Sequence, residues 1–479
     1  MTRPLDTPNS EGGNWMSAEA PWRHSLRELV ATTPAPLFGL AFCRAWSQWA
    51  VATMEPGVGP ALTGRPLYDA ACVVAAICLA ALSPKVGDLF NNRAATLTAA
   101  VAMCAVPLLA ALAPSGGWAV LNLVAIAAGG AGFLVMSVAW VCLYATFGPV
   151  KAVLLFCMER IASEALIFVY AGFTEAYLTG ALVLSPLASL VCLRSSATGA
   201  PYGQEQAAAD GLRPIPWKPA LFMFVYAFAY TVARSAANGG FLLYPATFLA
   251  LVPPLLFLVC IACFPQRFNL GSFYLIACPA MMAAIMLPAL FPIFPDQMVK
   301  GCLEISYSTA IVTEVFLVVG LSHRLRISPL WLFAFVRAFR YAGLLLGWLF
   351  VDVTGGLRGE NGSYVSAVLT ACIVAVSLML ISEHGGNANW GILPKSIGRL
   401  YTGKELDARI VRVGSLFGLS QREVEVLGYL ADGKTAGAIS TRLNLAEGTV
   451  KAHIQHIYQK TGCHTRRELL ALVHAEQPA

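Results

Sequence analysis

"LSQREVEVLGYLADGKTAGAISTRLNLAEGTVKAHIQHIYQKTGCHTRRELLALV", residues 419–473, is a run of short amphipathic helices. Ser420 followed by Glu423 is a capping box, opening a helix whose apolar positions are Val424, Leu427 and Leu430, and Asp432-Gly433 closes it. A second helix is expected over about Thr435–Leu443, burying Ile439 and Leu443, and Asn444 and its neighbours make a tight turn. A third helix spans about Glu447–Lys460. Its Val450, Ile454 and Ile457 recur at helical spacing, while Lys451, Ala452, Gln455 and Gln459 line the opposite face. "TRRELLALV" reads as a fourth helix. Two helices joined by a short turn, the second with a bare face of basic, small and amide side chains, form a helix-turn-helix suited to a DNA groove.

The chain that precedes this tail is of another kind. Of 479 residues, 57% are hydrophobic and 12% are charged, about half the share usual in soluble domains. Mean hydropathy is +0.66. Apolar segments long enough to cross roughly 30 Å of hydrocarbon fall at 34–54, 67–83, 94–113, 118–144, 150–171, 174–193, 218–236, 240–264, 270–290, 298–321, 328–350 and 363–382. The sequence thus predicts a twelve-span domain over 34–382, in halves 34–193 and 218–382. The polar Ala/Gly/Pro-rich loop 194–217 joins the halves, and a polar tail, 1–33, precedes them. A polar, glycine-rich linker, 383–413, leads to the DNA-reading module at 414–479, with a helical stretch near 405–417. Residues 1–32 are polar and the first apolar stretch starts too late for a signal-peptide core, so no cleavable leader is expected.

Orientation follows from the basic residues of the short loops. With twelve spans both termini share a side. The loops on that side carry Lys85, Arg93, Lys151, Arg194, Arg213, Lys218, Arg267, Arg324 and Arg326, and those opposite carry Arg65, Lys300 and Arg358. Both termini are therefore expected in the cytoplasm of a bacterial inner membrane protein. That is also the side on which a DNA-binding tail is of use.

Ionisable residues inside a bilayer each cost about 2.5–3.5 kcal/mol at mid-depth. Those read as lying inside the bilayer are Arg44, Glu159, Arg160, Glu164, Arg234, Glu304, Glu314, Arg337 and Arg340. Arg160 and Glu164 stand four apart and can pair. Arg337 and Arg340 share a helix face and need a counter-charge, which Glu304 or Glu314 on the preceding span could supply. Arg44, Arg160, Glu164, Arg234, Glu314 and Arg337 are the candidate residues for an anionic or polar small-molecule ligand. The alternative is that they are ion pairs fixing the bundle. Trp46, Trp49, Trp140 and Trp348 either line a pocket or belong to the interfacial belt or the general packing, the last two being the safer reading. Twelve of the thirteen cysteines lie in or beside apolar segments, including the single Cys260–Cys263 pair, and read as small buried apolar residues.

Six plus six spans around a cytoplasmic central loop resemble the major facilitator superfamily over 34–382. The loop "GDLFNNR" (87–93), with Gly87, Asp88 and Arg93, is a degenerate echo of that family's motif between spans two and three. "FCMER" (156–160) and "FAFVR" (333–337) each place an Arg in the fifth span of a half. The tail resembles the LuxR-type (GerE-like) DNA-binding domain. The matching residues are Leu419, Arg422, Glu423, Glu425, Val426 and Leu427, then Gly433, Ile439 and Leu443. They continue through Glu447-Gly448-Thr449-Val450-Lys451, His453, Ile457, Lys460, Gly462, Arg467, Glu468 and Leu469. The resemblance implies that helix 447–460 is the recognition helix, with Lys451, Ala452 and Gln455 at base edges. It also implies phosphate contacts from Thr449 and Lys460, a place for His453 on the DNA side, and dimerisation through the last helix. Three features depart from the family: Ala446 replaces the Ser or Thr cap, Gly437-Ala438 stands where a charged pair is common, and the module from 414 carries only seven Lys/Arg against six Asp/Glu.

The expected fold is all-α: a twelve-helix transmembrane bundle of major-facilitator type followed by a four-helix LuxR-type helix-turn-helix domain. The expected partners are double-stranded DNA, the lipid bilayer, an unidentified small molecule, a second copy of the chain on DNA, and RNA polymerase. The expected function is a membrane-embedded one-component regulator, with a transporter carrying a regulatory tail as the alternative. Kinase control is not expected, since no receiver domain precedes the tail. The chain has no Walker loop, no His-Glu-x-x-His and no paired Cys/His ligand spacing, and four of seven histidines (His453, His456, His464 and His474) lie in the tail. No catalysis, cofactor or metal is expected.

Overall fold

A computed structural model describes residues 35–52, 64–112, 119–197, 217–236, 245–263, 274–290, 296–325, 327–358, 361–382, 403–431, 436–443, 445–463, 468–469 and 472–473. The chain divides into two compact units, Met1–Gly398 and Arg399–Ala479. The expected N-terminal tail lies outside the described residues, as do most of the central loop and the first part of the linker, through 402.

Among the described residues the first unit contains twelve α-helices, one for each apolar segment. In its N-terminal half these are α1 (Leu40–Ala52), α2 (Arg65–Val86), α3 (Arg93–Leu112), α4 (Ala119–Ala145), α5 (Pro149–Ala171) and α6 (Glu175–Ala197). The second half has α7 (Trp217–Ala236), α8 (Val252–Cys263, continuing a 3-10 turn from Pro245), α9 (Tyr274–Leu290), α10 (Asp296–Leu325), α11 (Pro329–Thr354) and α12 (Gly362–Ser382). Seven helices are long and apolar enough to cross a membrane, namely α2, α3, α4, α6, α10, α11 and α12, and two shorter apolar helices lie at Phe248–Cys260 and Ala277–Pro288. This is a multi-pass membrane protein. α5 does not meet the same criterion because Lys151, Glu159, Arg160 and Glu164 interrupt it.

Local chemistry sets the helix ends. Proline at the first turn starts α2, α5 and α11, where the missing N–H costs nothing. Gly355 closes α11 at φ +72°, its N–H reaching the Val351 carbonyl at 2.8 Å. Prolines lie inside α2, α3, α6 and α9, and in α2 the carbonyl freed by Pro84, that of Ala80, accepts from Ser83 Oγ at 2.9 Å.

Burial repeats with a period of six helices. α4 and α10, the fourth of each half, are mostly enclosed, whereas α6 and α12, the sixth of each, expose apolar side chains such as Val191 and Val368. Such side chains suit hydrocarbon rather than water. Small residues set the closest approaches: a Cβ on Gly132 of α4 would stand 2.5 Å from the Ala99 carbonyl of α3, and one on Gly343 of α11 would stand 2.4 Å from the Phe224 carbonyl of α7. Trp46 and Trp140 are fully buried and Trp49 nearly so, with Trp140 Nε1 donating to Ser189 at 2.9 Å and Trp49 Nε1 to the Ile167 carbonyl at 3.2 Å. These three are core residues, not an interfacial belt.

The second unit contains α13 (Gly403–Leu416), α14 (Gln421–Ala431), α15 (Ala436–Leu443) and α16 (Glu447–Thr461). Ile410, Val413, Val426, Leu427, Leu430, Ile439, Val450, Ile457, Leu469 and Val473 form one core. α13 thus packs as part of the module, although it starts within the stretch read from the sequence as linker. Leu469 and Val473 of the expected last helix fill the same core.

Candidate DNA-reading module and a buried charge cluster

The helix-turn-helix is positioned by polar ties as well as by its core. Ser420 and Glu423 form the expected capping box: the Ser420 N–H donates to Glu423 Oε2 at 2.7 Å and the Glu423 N–H to Ser420 Oγ at 3.3 Å. Arg422 Nη2 donates to the Leu443 carbonyl at 3.1 Å, closing the end of α15 and fixing the turn into α16. Gly462, at φ +67°, ends α16 in the left-handed conformation that glycine adopts without strain.

α16 buries Val450 and Ile457, half-buries Ile454, and exposes Thr449, Lys451, Ala452, Gln455 and Gln459 together. This is the face proposed from the sequence to meet base edges. His453 is half-buried beside it. Lys451 Nζ lies 2.8 Å from Glu447 Oε1 across one turn, with both side chains more than half exposed. Such pairs are worth little in water, so the lysine is available to a stronger acceptor.

Lys460 is placed differently. Its Nζ donates to Glu423 Oε2 at 2.7 Å and to the Gly418 carbonyl at 3.2 Å. A phosphate contact by Lys460 would therefore compete with an internal carboxylate 37 residues away in sequence, and no local pattern signals that partner. The Lys460 hydrogen bond, with those from Ser420, holds the Glu423 carboxyl well below the usual carboxylate range, at about 2. Ala446, at the N-cap of α16, makes no side-chain capping bond.

In the membrane unit the sequence candidates gather into paired charges. Arg160 Nη2 meets Glu164 Oε1 at 2.9 Å along α5, as the spacing predicted. Arg44 Nε on α1 meets Glu159 Oε1 on α5 at 2.9 Å, and its guanidinium lies 4.7 Å from the centre of the Phe156 ring. Glu314 on α10 is the counter-charge required by α11, standing 3.2 Å from Arg337 Nε and 2.9 Å from Arg340 Nη1. Arg337 Nη1 also donates to Ser137 Oγ on α4 at 2.9 Å, bridging the two halves of the unit. Arg234 on α7 donates to the Tyr230 hydroxyl, which donates to Glu304 at 2.8 Å.

Asp69 was absent from the sequence candidates. It is fully buried on α2 and accepts from Arg65 Nε at 3.2 Å on both oxygens. The signal is the i, i+4 spacing, masked because Arg65 reads as a loop residue just outside the 67–83 segment that holds Asp69. Among the described residues no group of three or more His, Cys, Asp or Glu side chains could hold a metal ion.

These observations define a helix-turn-helix DNA-binding module carried on an all-α, multi-pass membrane unit. Residues 418–473 match the family of bacterial regulatory proteins, luxR family (GerE). The tail is a LuxR-type DNA-binding domain. The transcriptional activator protein VanR of Vibrio anguillarum is 33% identical over 115 residues, which cover 24% of this chain and 45% of VanR. The chain thus aligns with less than half of that relative. Among solved structures, a bacterial homologue of the iron transporter ferroportin, in its outward-facing state, aligns over 73% of this chain and 98% of its own at 12% identity, with a TM-score of 0.53. The likeness is one of fold. A major facilitator superfamily transporter, FucP, in the outward conformation, aligns over 72% of this chain and 98% of its own at 14% identity, with a TM-score of 0.49.

Proposed function

We propose that the chain is a one-component transcription regulator embedded in the bacterial inner membrane. Its bundle binds a small molecule and its tail binds operator DNA as a dimer, with both termini in the cytoplasm. The observation that carries this reading is the exposed face of Thr449, Lys451, Ala452 and Gln455 on α16, in a chain whose other compact unit is a polytopic bundle. Phosphate contacts dominate affinity for DNA. A module from residue 414 with seven basic against six acidic residues offers few, so two copies on two half-sites supply what one lacks. The basic bias of the loops sets the orientation, and RNA polymerase is a partner at the promoter.

The test is genome-wide footprinting of the intact protein against Lys451→Ala with Gln455→Ala. The expected result is a small set of sharp sites, lost in the double variant while membrane insertion is kept. Unchanged occupancy in the double variant would mean that α16 does not read the operator.

A transporter with a regulatory tail is the second reading, favoured by the fold shared with the ferroportin homologue. Uptake or export that persists in the double variant, with no occupied sites in either protein, would select it.

A further inference from the structure

Charge does not balance at the centre of the membrane unit. Glu314 stands between two guanidinium groups, and all three side chains are more than nine-tenths buried. Around them the other four arginines each reach a carboxylate: Arg44 with Glu159, Arg160 with Glu164, Arg65 with Asp69, and Arg234 with Glu304 through Tyr230. Six arginines thus face five carboxylates among the described residues of this cluster, and the surplus cation sits on the Arg337–Glu314–Arg340 triad.

A second observation falls on the same group. Arg340 Nε is buried and has no hydrogen-bond partner among the described residues. Its Nη1 is taken by Glu314, and Tyr341 covers the guanidinium, with its ring centre 4.9 Å away. A surplus cation in the interior is costly, and an unmet donor adds to that cost. One ligand class removes both. A monoanion cancels the surplus, whereas a dianion would leave a net negative charge in the same site. A planar anion with two oxygens matches the paired N–H groups on the Nε edge of a guanidinium, which a spherical halide does not.

We propose that the triad is a binding site for a small monocarboxylate, one oxygen of which accepts from Arg340 Nε. The occupant sits beside the Arg337–Ser137 hydrogen bond, one of the contacts between the halves. This inference rests on the reading of the triad as a ligand site and holds whether the bundle senses or transports.

The test is thermal unfolding of the intact protein in detergent, followed by tryptophan fluorescence. Sodium acetate, propionate and benzoate are titrated at constant ionic strength against chloride, with acetamide as the uncharged isostere of acetate. A saturable rise in Tm is expected with at least one carboxylate, with no rise for acetamide and a smaller one for chloride. Arg340→Gln should weaken the response at least about tenfold, the scale of a lost charge-assisted pair. Glu314→Gln adds a second unpaired cation and should strengthen it. Equal responses to acetate and acetamide, no response to any of the three carboxylates, or an undiminished response in Arg340→Gln would each overturn the proposal, and the first two need no variant to fold. Operator retention on the same preparations separates the readings: its loss with the carboxylate response kept refutes the regulator and not this site, and the reverse refutes this site alone.

Discussion

Replacing Glu423 by alanine should loosen the DNA-reading module without touching its DNA-facing side chains. The carboxylate makes two contacts that alanine cannot: it accepts the Ser420 N–H at 2.7 Å and the Lys460 ammonium at 2.7 Å. A lost cap of this kind costs about 1 kcal/mol. The charge-assisted bond adds about 1–2 kcal/mol, toward the low end because Lys460 is 40% exposed and water screens it. The sum, roughly 2–3 kcal/mol, is a large share of the roughly 4–12 kcal/mol expected of an 81-residue unit (399 to 479). It corresponds to a rise of roughly 30- to 150-fold in the fraction of open module. Hydrogen–deuterium exchange on the intact protein reads this directly, from peptides covering α14 and α16, with peptides of α4 as internal reference. Glu423→Gln, which keeps an acceptor for Ser420, should show about half the effect in free energy. The pH dependence has a fixed sign. The folded carboxyl titrates at about 2, below its value in the unfolded chain, so its contribution is complete at neutral pH and is lost as pH falls below about 5 toward 2. A change in exchange below about threefold for Glu423→Ala, or the same pH profile in both proteins, would refute the assignment of Glu423 as the tie between α14 and α16.

Three further outcomes are expected. Arg44→Ala leaves Glu159 buried without its cation and should cost about 3–5 kcal/mol, read as a lowered Tm in detergent; the double replacement Arg44→Met with Glu159→Leu should recover most of that. Gly343→Ala drives a methyl group into the Phe224 carbonyl and should cost about 1–3 kcal/mol in the same assay, unless α7 and α11 part. Ala446→Ser supplies the missing cap at a position whose backbone (φ −65°, ψ 141°) already suits it, and should slow exchange in the first turn of α16 by up to about tenfold while tightening operator binding.

What was legible in the sequence depended on the range of the interaction. The helices of the membrane unit follow from runs of apolar residues, which act locally, and each appears where its run lies. The α16 face follows from the 3.6-residue period, and Arg160–Glu164 from the i, i+4 rule. Glu314 was one of two possible partners for α11, and only the packing of α10 chose it over Glu304, which Tyr230 takes instead. Lys460 and Glu423 lie 37 residues apart, and nothing local to either predicts that they meet. That the helical stretch near 405–417 packs into the second unit is not legible in the sequence for a related reason. Ile410 and Val413 face the core while Val411 between them is exposed, and so short an amphipathic helix shows its allegiance only when its partners are seen.

The glycine contacts divide the membrane unit by stiffness. Where Gly132 lies against α3 and Gly343 against α7, backbone meets backbone within one half, with no side chain between to change rotamer. Across the halves, the Arg337–Ser137 bond depends on a long side chain that can reorient. The helices joined at Gly132 and at Gly343 should then move together under load, and the polar bridge at Arg337 should be the compliant point of a seam that α2 and α11 otherwise pack closely. Any displacement within the bundle would be concentrated there, where a change of one charge alters the force between the halves.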